Sequence, residues 1–259
     1  MPENRLTHPS AVLTQEQRDF YIENGWLLLE KIVPDEWIER LRAAATKIVA
    51  RTRSMARSSP VFELLPDHTE DRPRPGLVSS PEDLEPEFWE FVSNSILTDV
   101  VCDLLGPGIR YRWSALPFKH VGPADLWHQD LAFDLHEGSG LFAGIHLFDC
   151  KPGEARLMLI PGSHRGELFS HRNERGEFIG ELNAEDMQRI DVEAAIELLA
   201  PAGSIELLDY RTLHQDRYGA EKDAGPFLYV TYAAADAISI GPVLYPPVPS
   251  EKLGTVVGR

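Results

Sequence analysis

The sequence has few cysteines, few basic side chains and no long apolar run, and each shortage argues against a class of protein. Only Cys102 and Cys150 occur in 259 residues. We therefore expect no secreted fold held together by disulfides, and we predict a reducing compartment, the cytoplasm. No run of 18 apolar residues and no N-terminal signal core is present, which argues against membrane insertion and export.

The net charge and the absence of several motifs argue against further kinds of partner, cofactor and catalytic residue. Lysine and arginine number 25 against 41 aspartates and glutamates, a formal net charge of -16. Such a surface repels phosphate backbones and anionic membranes, so nucleic acid is not an expected partner. No Gly-x-Gly-x-x-Gly or Walker motif indicates a nucleotide, and no Gly-x-Ser-x-Gly motif indicates a serine nucleophile. The length allows one large barrel-type domain or two small ones.

Helical signals dominate the first hundred residues. Thr14, with a glutamine three residues later, has the spacing of a capping box, and Gly25 ends the helix that Thr14 begins. A second helix is predicted from Asp35, where apolar residues recur at helical spacing, and a third over residues 86–105. Residues 54–85 are rich in proline, serine, arginine and acids without periodicity, and we predict a long loop or lid there.

The residue pattern changes from helical to strand-like at Ile109. Short runs of β-branched and aromatic residues now alternate with glycine, proline and aspartate turns, which predicts a mainly β sandwich or barrel with flanking helices. Residues 181–199 are a polar, acidic insertion that we predict to be partly helical. The predicted strands cover residues 110–118, 144–148, 156–160, 204–208 and 227–233.

Three side chains after Ile109 have the spacing of a metal site. His128 and Asp130 are two residues apart, so on a strand or at its end they point to the same side. His214 follows a predicted strand and a turn, and it can supply a third ligand. Two histidines and one carboxylate leave three positions open on an octahedral Fe(II), whereas zinc prefers a tetrahedral site with more nitrogen or sulfur ligands. A surface pair is the alternative for His128 and Asp130, because a His-x-Asp pattern alone is common.

The surrounding motifs resemble those of the phytanoyl-CoA dioxygenase family. The matching segments are Trp127-His128-Gln129-Asp130, then Ile160-Pro161-Gly162-Ser163-His164-Arg165, then the distal His214. The resemblance implies a double-stranded β-helix, a cupin-like jelly-roll barrel, that uses Fe(II) and 2-oxoglutarate. It also implies that His128, Asp130 and His214 are the iron ligands and that His164 belongs to a structural turn.

The domain organisation follows from this resemblance. We predict a single jelly-roll oxygenase domain over residues 1–259, with O₂ and a small organic molecule as its substrates. The sequence leaves the oligomeric state open. The predicted parts of the domain are a helical part at about 13–106, a barrel core at about 109–235 and a C-terminal tail at 236–259.

One position departs from the family pattern. The family carries an arginine eleven residues after the distal histidine, where its planar guanidinium pairs with the far carboxylate of 2-oxoglutarate. In this sequence the residue eleven positions after His214 is Gly225. Another cation can take over this role, and we favour Lys119 and Arg217 for it. The further candidates are Arg156, Arg211 and Lys222.

A glycine at position 225 is also compatible with two different functions. The chain can be an iron enzyme of the same fold that does not use 2-oxoglutarate, such as an isomerase or an oxygenase that binds its substrate directly to the metal. It can also be a non-catalytic binding protein. Two further histidines bear on the site. His146 is expected to point either into the barrel or outward, and if it points inward it can donate a hydrogen bond to a co-substrate carboxylate. His136 is expected in a loop near the entrance.

Overall fold

The computed structural model describes residues 8–118, 127–151, 156–217, 225–244 and 250–259, with only the backbone of Arg156 and Arg217. Within these ranges the chain forms four α-helices and thirteen strands, each numbered in chain order. The α-helices are α1 (Gln15–Asn24), α2 (Asp35–Thr52), α3 (Pro86–Ser93) and α4 (Ile96–Leu105). The strands are β1 (Trp26–Leu29), β2 (Phe62–Leu64), β3 (Pro75–Ser79), β4 (Ile109–Pro117), β5 (Asp134–Glu137), β6 (Gly140–Ile145), β7 (Arg156–Leu159), β8 (Ile196–Leu198), β9 (Ile205–Asp209), β10 (His214–Arg217), β11 (Leu228–Ala233), β12 (Ile238–Val243) and β13 (Val256–Val257).

The strands form three antiparallel sheets. The large sheet has the order β1-β9-β6-β11-β4-β3-β2, and β13 also pairs with β4. A three-stranded sheet has the order β10-β7-β8, and β12 pairs with β5. Since β9 lies between β1 and β6, and β11 between β6 and β4, neighbours in the sheet are distant in sequence. This arrangement is the jelly roll predicted from the sequence.

The large sheet has an inner and an outer face. On β9, Leu208 points inward and packs with Phe142 of β6 against Leu157, Leu159 and Leu198 of the three-stranded sheet. The alternate residues of β9, at 205 and 207, belong to the core that the large sheet shares with the helices. The helices therefore cover one face of the large sheet, and the smaller sheet covers the other. The predicted fold class, mainly β with flanking helices, is confirmed.

The helix ends follow local sequence signals. Thr14 caps α1 through the predicted capping box, and the helix ends at Gly25, whose φ of 76° is left-handed. The predicted single helix over 86–105 is wrong, because the chain breaks between α3 and α4. Ser95 caps α4 by accepting a hydrogen bond from the amide of Leu97, at 3.1 Å. Apolar residues keep a helix-like spacing across this break, so the sequence pattern did not show the boundary.

Other element predictions need correction where strands are short or buried on both faces. Residues 54–85 hold the hairpin of β2 and β3 rather than a loop alone. The insertion at 181–199 is partly helical, as predicted, but it also contributes β8. The strand predicted over 144–148 is β6, which begins at Gly140 and is buried at every position. Such a strand has no alternation of apolar and polar residues from which its start can be read.

The C-terminal segment and the longest helix complete the fold. The residues predicted as a tail contribute β12, which pairs with β5, and β13, which pairs with β4. The longest helix, α2, has 18 residues and carries charged side chains along its length. No helix among the described residues is both long and apolar enough to cross a membrane. The cytoplasmic location stays a prediction.

Asp103 of α4 joins the two ends of the described chain. Its carboxylate accepts hydrogen bonds from the Ser10 hydroxyl at 2.9 Å, from the backbone amides of residues 11–13 at 2.8 Å, and from the guanidinium of Arg259. Burial alone would raise the pKa of Asp103, but the amide donors outweigh it and hold the pKa below the usual value of an aspartate.

Replacing Asp103 with asparagine is expected to destabilise the fold by about 2 kcal/mol at neutral pH, because a charged acceptor is lost. A depressed folded-state pKa contributes stability above the unfolded pKa of about 3.9, and the contribution is lost as the pH falls through the folded value. The difference between wild type and Asp103→Asn should therefore shrink below about pH 4. Urea unfolding at several pH values measures it, and a constant difference down to the lowest pH would contradict this expectation.

Candidate metal centre

Two histidines face each other across a bridge between separate chain segments. His128 and His214 form an isolated antiparallel bridge, in which each backbone amide donates to the other residue's carbonyl at 2.9 and 3.1 Å. Their imidazole ring centroids are 4.2 Å apart. His214 is the first residue of β10, and His128 precedes a short 3₁₀ helix at Asp130–Ala132. Backbone pairing, rather than side-chain contacts alone, brings the two imidazoles together.

Asp130 completes the group from the start of that short helix. Its Oδ1 lies 3.9 Å from Nε2 of His128 and 3.7 Å from Nε2 of His214. One nitrogen or oxygen atom from each of the three residues lies within 4.8 Å of the others. In the part of the chain that the structure describes, this is the one group of three or more histidine, cysteine, aspartate or glutamate side chains with such spacing.

Neighbouring groups orient the donor atoms toward one point. Nδ1 of His214 lies 2.9 Å from the carbonyl of Thr212, and since a carbonyl only accepts, Nδ1 carries a proton and Nε2 is the nitrogen available to a metal in the neutral ring. The Tyr229 hydroxyl donates to Oδ2 of Asp130 at 2.7 Å, which leaves Oδ1 to face the imidazoles. Partners of this kind fix the ring orientation and basicity of metal ligands.

The arrangement fits a divalent cation by its donor chemistry. Oδ1 of Asp130 lies 3.7 Å from Nε2 of His214 and 3.9 Å from Nε2 of His128, distances too long for hydrogen bonds among the three groups. Asp130 and His214 are both buried, and a divalent cation bound between the three donor atoms would be in reach of all of them. Two neutral imidazoles and one carboxylate on one face are the donor set of a non-haem Fe(II) site with open positions.

Aromatic rings surround the three donors. Phe142 stacks parallel to His214 with centroids 6.3 Å apart, and Tyr229 stacks on Phe142 at 4.3 Å. Phe133 meets the His128 ring edge-on at 5.8 Å. These rings restrict rotation of the imidazoles and keep the interior side of the centre apolar, which strengthens electrostatic interactions there.

Gln129, between the two ligands of the His-x-Asp motif, fastens the segments around the centre. Its fully buried amide donates to the carbonyls of Glu167 and Arg211 at 3.0 and 2.8 Å and accepts from the amide of Phe169 at 3.0 Å. Gln129 is part of the motif, but nothing in the sequence indicated its role. Residues 167 and 211 are far from Gln129 in sequence and come close to it only in the folded chain.

Residues 167–190, which we call the covering segment, pack over Trp127. A small hydrophobic cluster joins that residue to Ile160, Phe169, Leu182 and Leu213. The amide of Leu182 donates to the carbonyl of Trp127 at 2.9 Å, so the acidic insertion that begins at residue 181 lies against the metal-binding segment.

His171 and His164, two further histidines nearby, are engaged elsewhere. Nε2 of His171 accepts from the backbone amide of Gln129 at 2.9 Å, and its Nδ1 lies 2.8 Å from the carbonyl of Phe169. Burial lowers the pKa of His171, in keeping with a neutral ring. His164 contacts the carbonyl of Ile22 through Nε2 at 3.0 Å, which agrees with its predicted structural role. Neither ring has a nitrogen directed at the metal centre in these contacts.

The structure favours glycine over the family's arginine at position 225. Gly225 has a φ of 78°, and a Cβ on it would lie 2.9 Å from the Phe148 ring. The backbone therefore favours glycine, and a longer side chain requires Phe148 to move. Of the suggested replacements, Lys119 and Lys222 lie outside the described residues, as do the side chains of Arg156 and Arg217. The favoured pair, Lys119 and Arg217, thus stays a prediction.

Arg211 is already engaged and is not a replacement for that arginine. Its guanidinium donates to the carbonyls of His164 and Gly166 at 3.1 and 2.6 Å, which ties it to the structural turn. His146 points inward, as one alternative predicted, but its Nε2 lies 3.0 Å from the buried carboxylate of Glu206. That contact occupies the nitrogen that would otherwise donate to a co-substrate.

A second polar group lies next to the metal centre, and we call it the β5 cluster: Arg112, Asp134, His136 and Tyr210. The prediction that His136 lies in a loop is wrong, since it belongs to β5 and is 5% exposed. Arg112 donates twice to Asp134, at 2.6 and 2.5 Å. The rings of His136 and Tyr210 have centroids 5.3 Å apart, and burial lowers the pKa of His136. The short strand β5 has no sequence signal strong enough to predict it.

A jelly roll with two histidines and a carboxylate facing one point defines a class, the mononuclear iron oxygenases. The sequence model of the phytanoyl-CoA dioxygenase (PhyH) family matches residues 21–216, which is more than half of the chain. The chain belongs to this family. The predicted family, and with it the class of iron- and 2-oxoglutarate-dependent oxygenases, is confirmed.

Individual relatives are more distant. A probable alpha-ketoglutarate-dependent hypophosphite dioxygenase of Stutzerimonas stutzeri is 27% identical over 226 residues, 86% of this chain and 79% of that protein. Human peroxisomal phytanoyl-CoA dioxygenase is 26% identical over 186 residues, and the chain spans 52% of its length. Alpha-ketoglutarate is another name for 2-oxoglutarate.

Solved structures share the fold at low sequence identity. EctD from S. alaskensis, crystallised with 2-oxoglutarate and 5-hydroxyectoine, superposes with a TM-score of 0.75 at 18% identity, covering 97% of this chain and 88% of its own. The alpha-ketoglutarate-dependent carbocyclase SnoK from nogalamycin biosynthesis gives a TM-score of 0.71 at 18% identity, covering 97% and 100%. At this identity the likeness establishes the jelly-roll fold of the chain.

Proposed function

We propose that this protein oxidises a small organic molecule with O₂ and 2-oxoglutarate at one iron held by His128, Asp130 and His214. The observation that carries the proposal is the convergence of the three donor atoms, one from each of His128, Asp130 and His214, within 4.8 Å of one another. A carboxylate and two neutral imidazoles leave half of an octahedral coordination sphere open for other ligands.

The chain's own residues would orient and shield the centre. Bound iron would supply the activation of O₂ and the transfer of electrons. Thr212 holds the proton of His214 on Nδ1, and Tyr229 holds Oδ2 of Asp130, so the ligands need little reorganisation when the metal binds. Phe133 and Phe142 exclude water on two sides.

The use of 2-oxoglutarate is supported by the family and by the names of relatives, and Gly225 bears on how it is bound. A 2-oxoglutarate-dependent enzyme needs a cation near the far carboxylate, and Lys119 and Arg217 remain our candidates for it. An iron enzyme of the same fold without 2-oxoglutarate is the second candidate function, favoured by the glycine backbone at position 225 and by the engaged side chain of Arg211.

The substrate is proposed only as a small organic molecule. The relatives' names refer to hypophosphite and phytanoyl-CoA, which differ widely in size and chemistry. The covering segment that packs on Trp127 and Leu213 would then form part of the substrate wall. O₂ is the second substrate.

Anaerobic titration tests the proposal. Fe(II) followed by 2-oxoglutarate should give the weak visible charge-transfer band of the chelate in wild-type protein. His128→Ala should give no band, while His68→Ala, in a loop where Nδ1 accepts from the Arg74 amide, should match wild type. Iron binding without a band, together with activity lost in His128→Ala, would support the second candidate function. Wild-type protein that binds no iron would overturn both.

A further inference from the structure

We propose that the β5 cluster binds an uncharged hydroxyl group of the substrate between His136 and Tyr210. Calling the bound molecule a substrate rests on the proposed function. The binding of a hydroxyl group at this place is carried by the cluster's own geometry. The position also goes beyond the metal ligands, since neither residue is directed at the metal in any described contact.

Three buried polar atoms of the cluster are unsatisfied. Both ring nitrogens of His136 and the hydroxyl of Tyr210 are buried and have no hydrogen bond of normal geometry; only looser contacts, with the Glu137 backbone and the Thr231 hydroxyl, act on them. The two residues are only 5% and 2% exposed. Buried polar groups in proteins nearly always have a partner, so three such atoms around one pair of rings indicate a ligand. The Thr231 hydroxyl, which lies near the Tyr210 hydroxyl, donates its own hydrogen to the carbonyl of Trp113 at 3.3 Å.

The backbone makes room for the two rings. A Cβ on Gly140, the first residue of β6, would lie 2.8 Å from Nε2 of His136 and 2.8 Å from the Tyr210 ring. Only glycine permits both rings to approach the strand so closely. Nε2 of His136 is therefore held beside the Tyr210 ring.

The local charge selects an uncharged ligand. Arg112 and Asp134 neutralise each other in a two-point ion pair, so the guanidinium has little attraction left for an added anion. The carboxylates of Asp130 and Asp134 both act on Tyr210 and disfavour a second negative charge. A neutral imidazole has one donor and one acceptor nitrogen, and a phenol both donates and accepts. A hydroxyl group matches this pair because it can accept from one ring and donate to the other.

The cluster is close enough to the metal centre to position a substrate there. The backbone amide of Leu131, which follows Asp130, donates to the carbonyl of Tyr210 at 3.0 Å. His136 lies on the strand that begins four residues after Asp130. A molecule anchored by its hydroxyl group at the cluster would thus be held near the three donors, with its orientation fixed by two hydrogen bonds.

Ethylene glycol is the probe for this site. In protein with ¹⁵N-labelled histidine, measured metal-free and with diamagnetic Zn(II), it should shift the His136 resonances saturably. His136→Gln assigns those resonances. Tyr210→Phe should weaken binding about threefold to tenfold, the usual worth of one hydrogen bond. Tyr21→Phe is the matched control, because it removes another buried hydroxyl without a partner, on the helix-covered face of the sheet, and it should leave binding unchanged.

Comparison probes decide between ligand classes. 1,2-Dimethoxyethane, which cannot donate, should bind more weakly, and formate should bind more weakly still. No shift with ethylene glycol, a stronger response to formate, or equal affinity in Tyr210→Phe and Tyr21→Phe would overturn the inference. The charge-transfer band is measured separately. A band without a His136 response rejects this inference alone, and a response without a band rejects the use of 2-oxoglutarate alone.

Discussion

Replacing His214 with alanine is expected to lower the conversion of 2-oxoglutarate to succinate by more than about 100-fold. Loss of a group that merely supports a ligand typically costs about 10–100-fold in affinity or activity, and His214 is proposed as a ligand itself. The variant keeps the backbone bridge to His128, so the segment should hold its place while one of three donors is missing. Succinate formation with added Fe(II), measured with and without candidate substrates, gives the result.

Iron content separates a lost ligand from a lost fold in this variant. His214→Ala should bind substoichiometric iron and still unfold cooperatively. His68→Ala controls for the removal of a histidine far from the centre in sequence. Turnover and iron content equal to wild type in His214→Ala would remove this residue from the site.

Gln129→Glu is expected to have the second largest effect. The substitution changes one NH₂ group into an oxygen, and that oxygen would face the carbonyls of Glu167 and Arg211. A buried carboxylate without a partner costs about 3–5 kcal/mol, so we expect a lower unfolding free energy and loosening of the covering segment. Because Gln129 lies between two proposed ligands, turnover should fall about 10–100-fold with it.

Gln215→Glu is the matched control for that variant. Gln215 also adjoins a proposed ligand, but its half-buried amide has only a weak contact of 3.8 Å with the sulfur of Met158. The same change of charge there should alter unfolding and turnover little. Equal losses in both variants would mean that added negative charge near the metal, rather than the lost fastening, explains the effect of Gln129→Glu.

The sequence predicted those parts of the molecule that depend on local order. The capping box at Thr14 and the stop at Gly25 are short-range signals, and both are present in the structure. The fold class and the convergence of His128, Asp130 and His214 followed from motifs in a fixed order along the chain. Their spacing in sequence carried enough information because the family's fold determines their spacing in space.

The parts that the sequence did not predict depend on contacts between distant segments. β6 is buried on both faces, so its start at Gly140 leaves no alternation in the sequence. The role of Gln129 requires residues 167 and 211 to be adjacent to it, and the placement of His136 requires β5 to pack on the large sheet. None of these relations has a local pattern. The co-substrate cation stays open because the relevant lysine and arginine side chains are outside the described residues.

Anomalous diffraction at the iron edge, from crystals grown anaerobically with Fe(II), tests the central claim most directly. The proposed centre predicts one iron peak per chain, at bonding distance from Nε2 of His128, Nε2 of His214 and Oδ1 of Asp130. Tyr229 should still donate to the other oxygen of Asp130. An iron peak at other residues, or no peak at this centre in metal-replete protein, would contradict the claim.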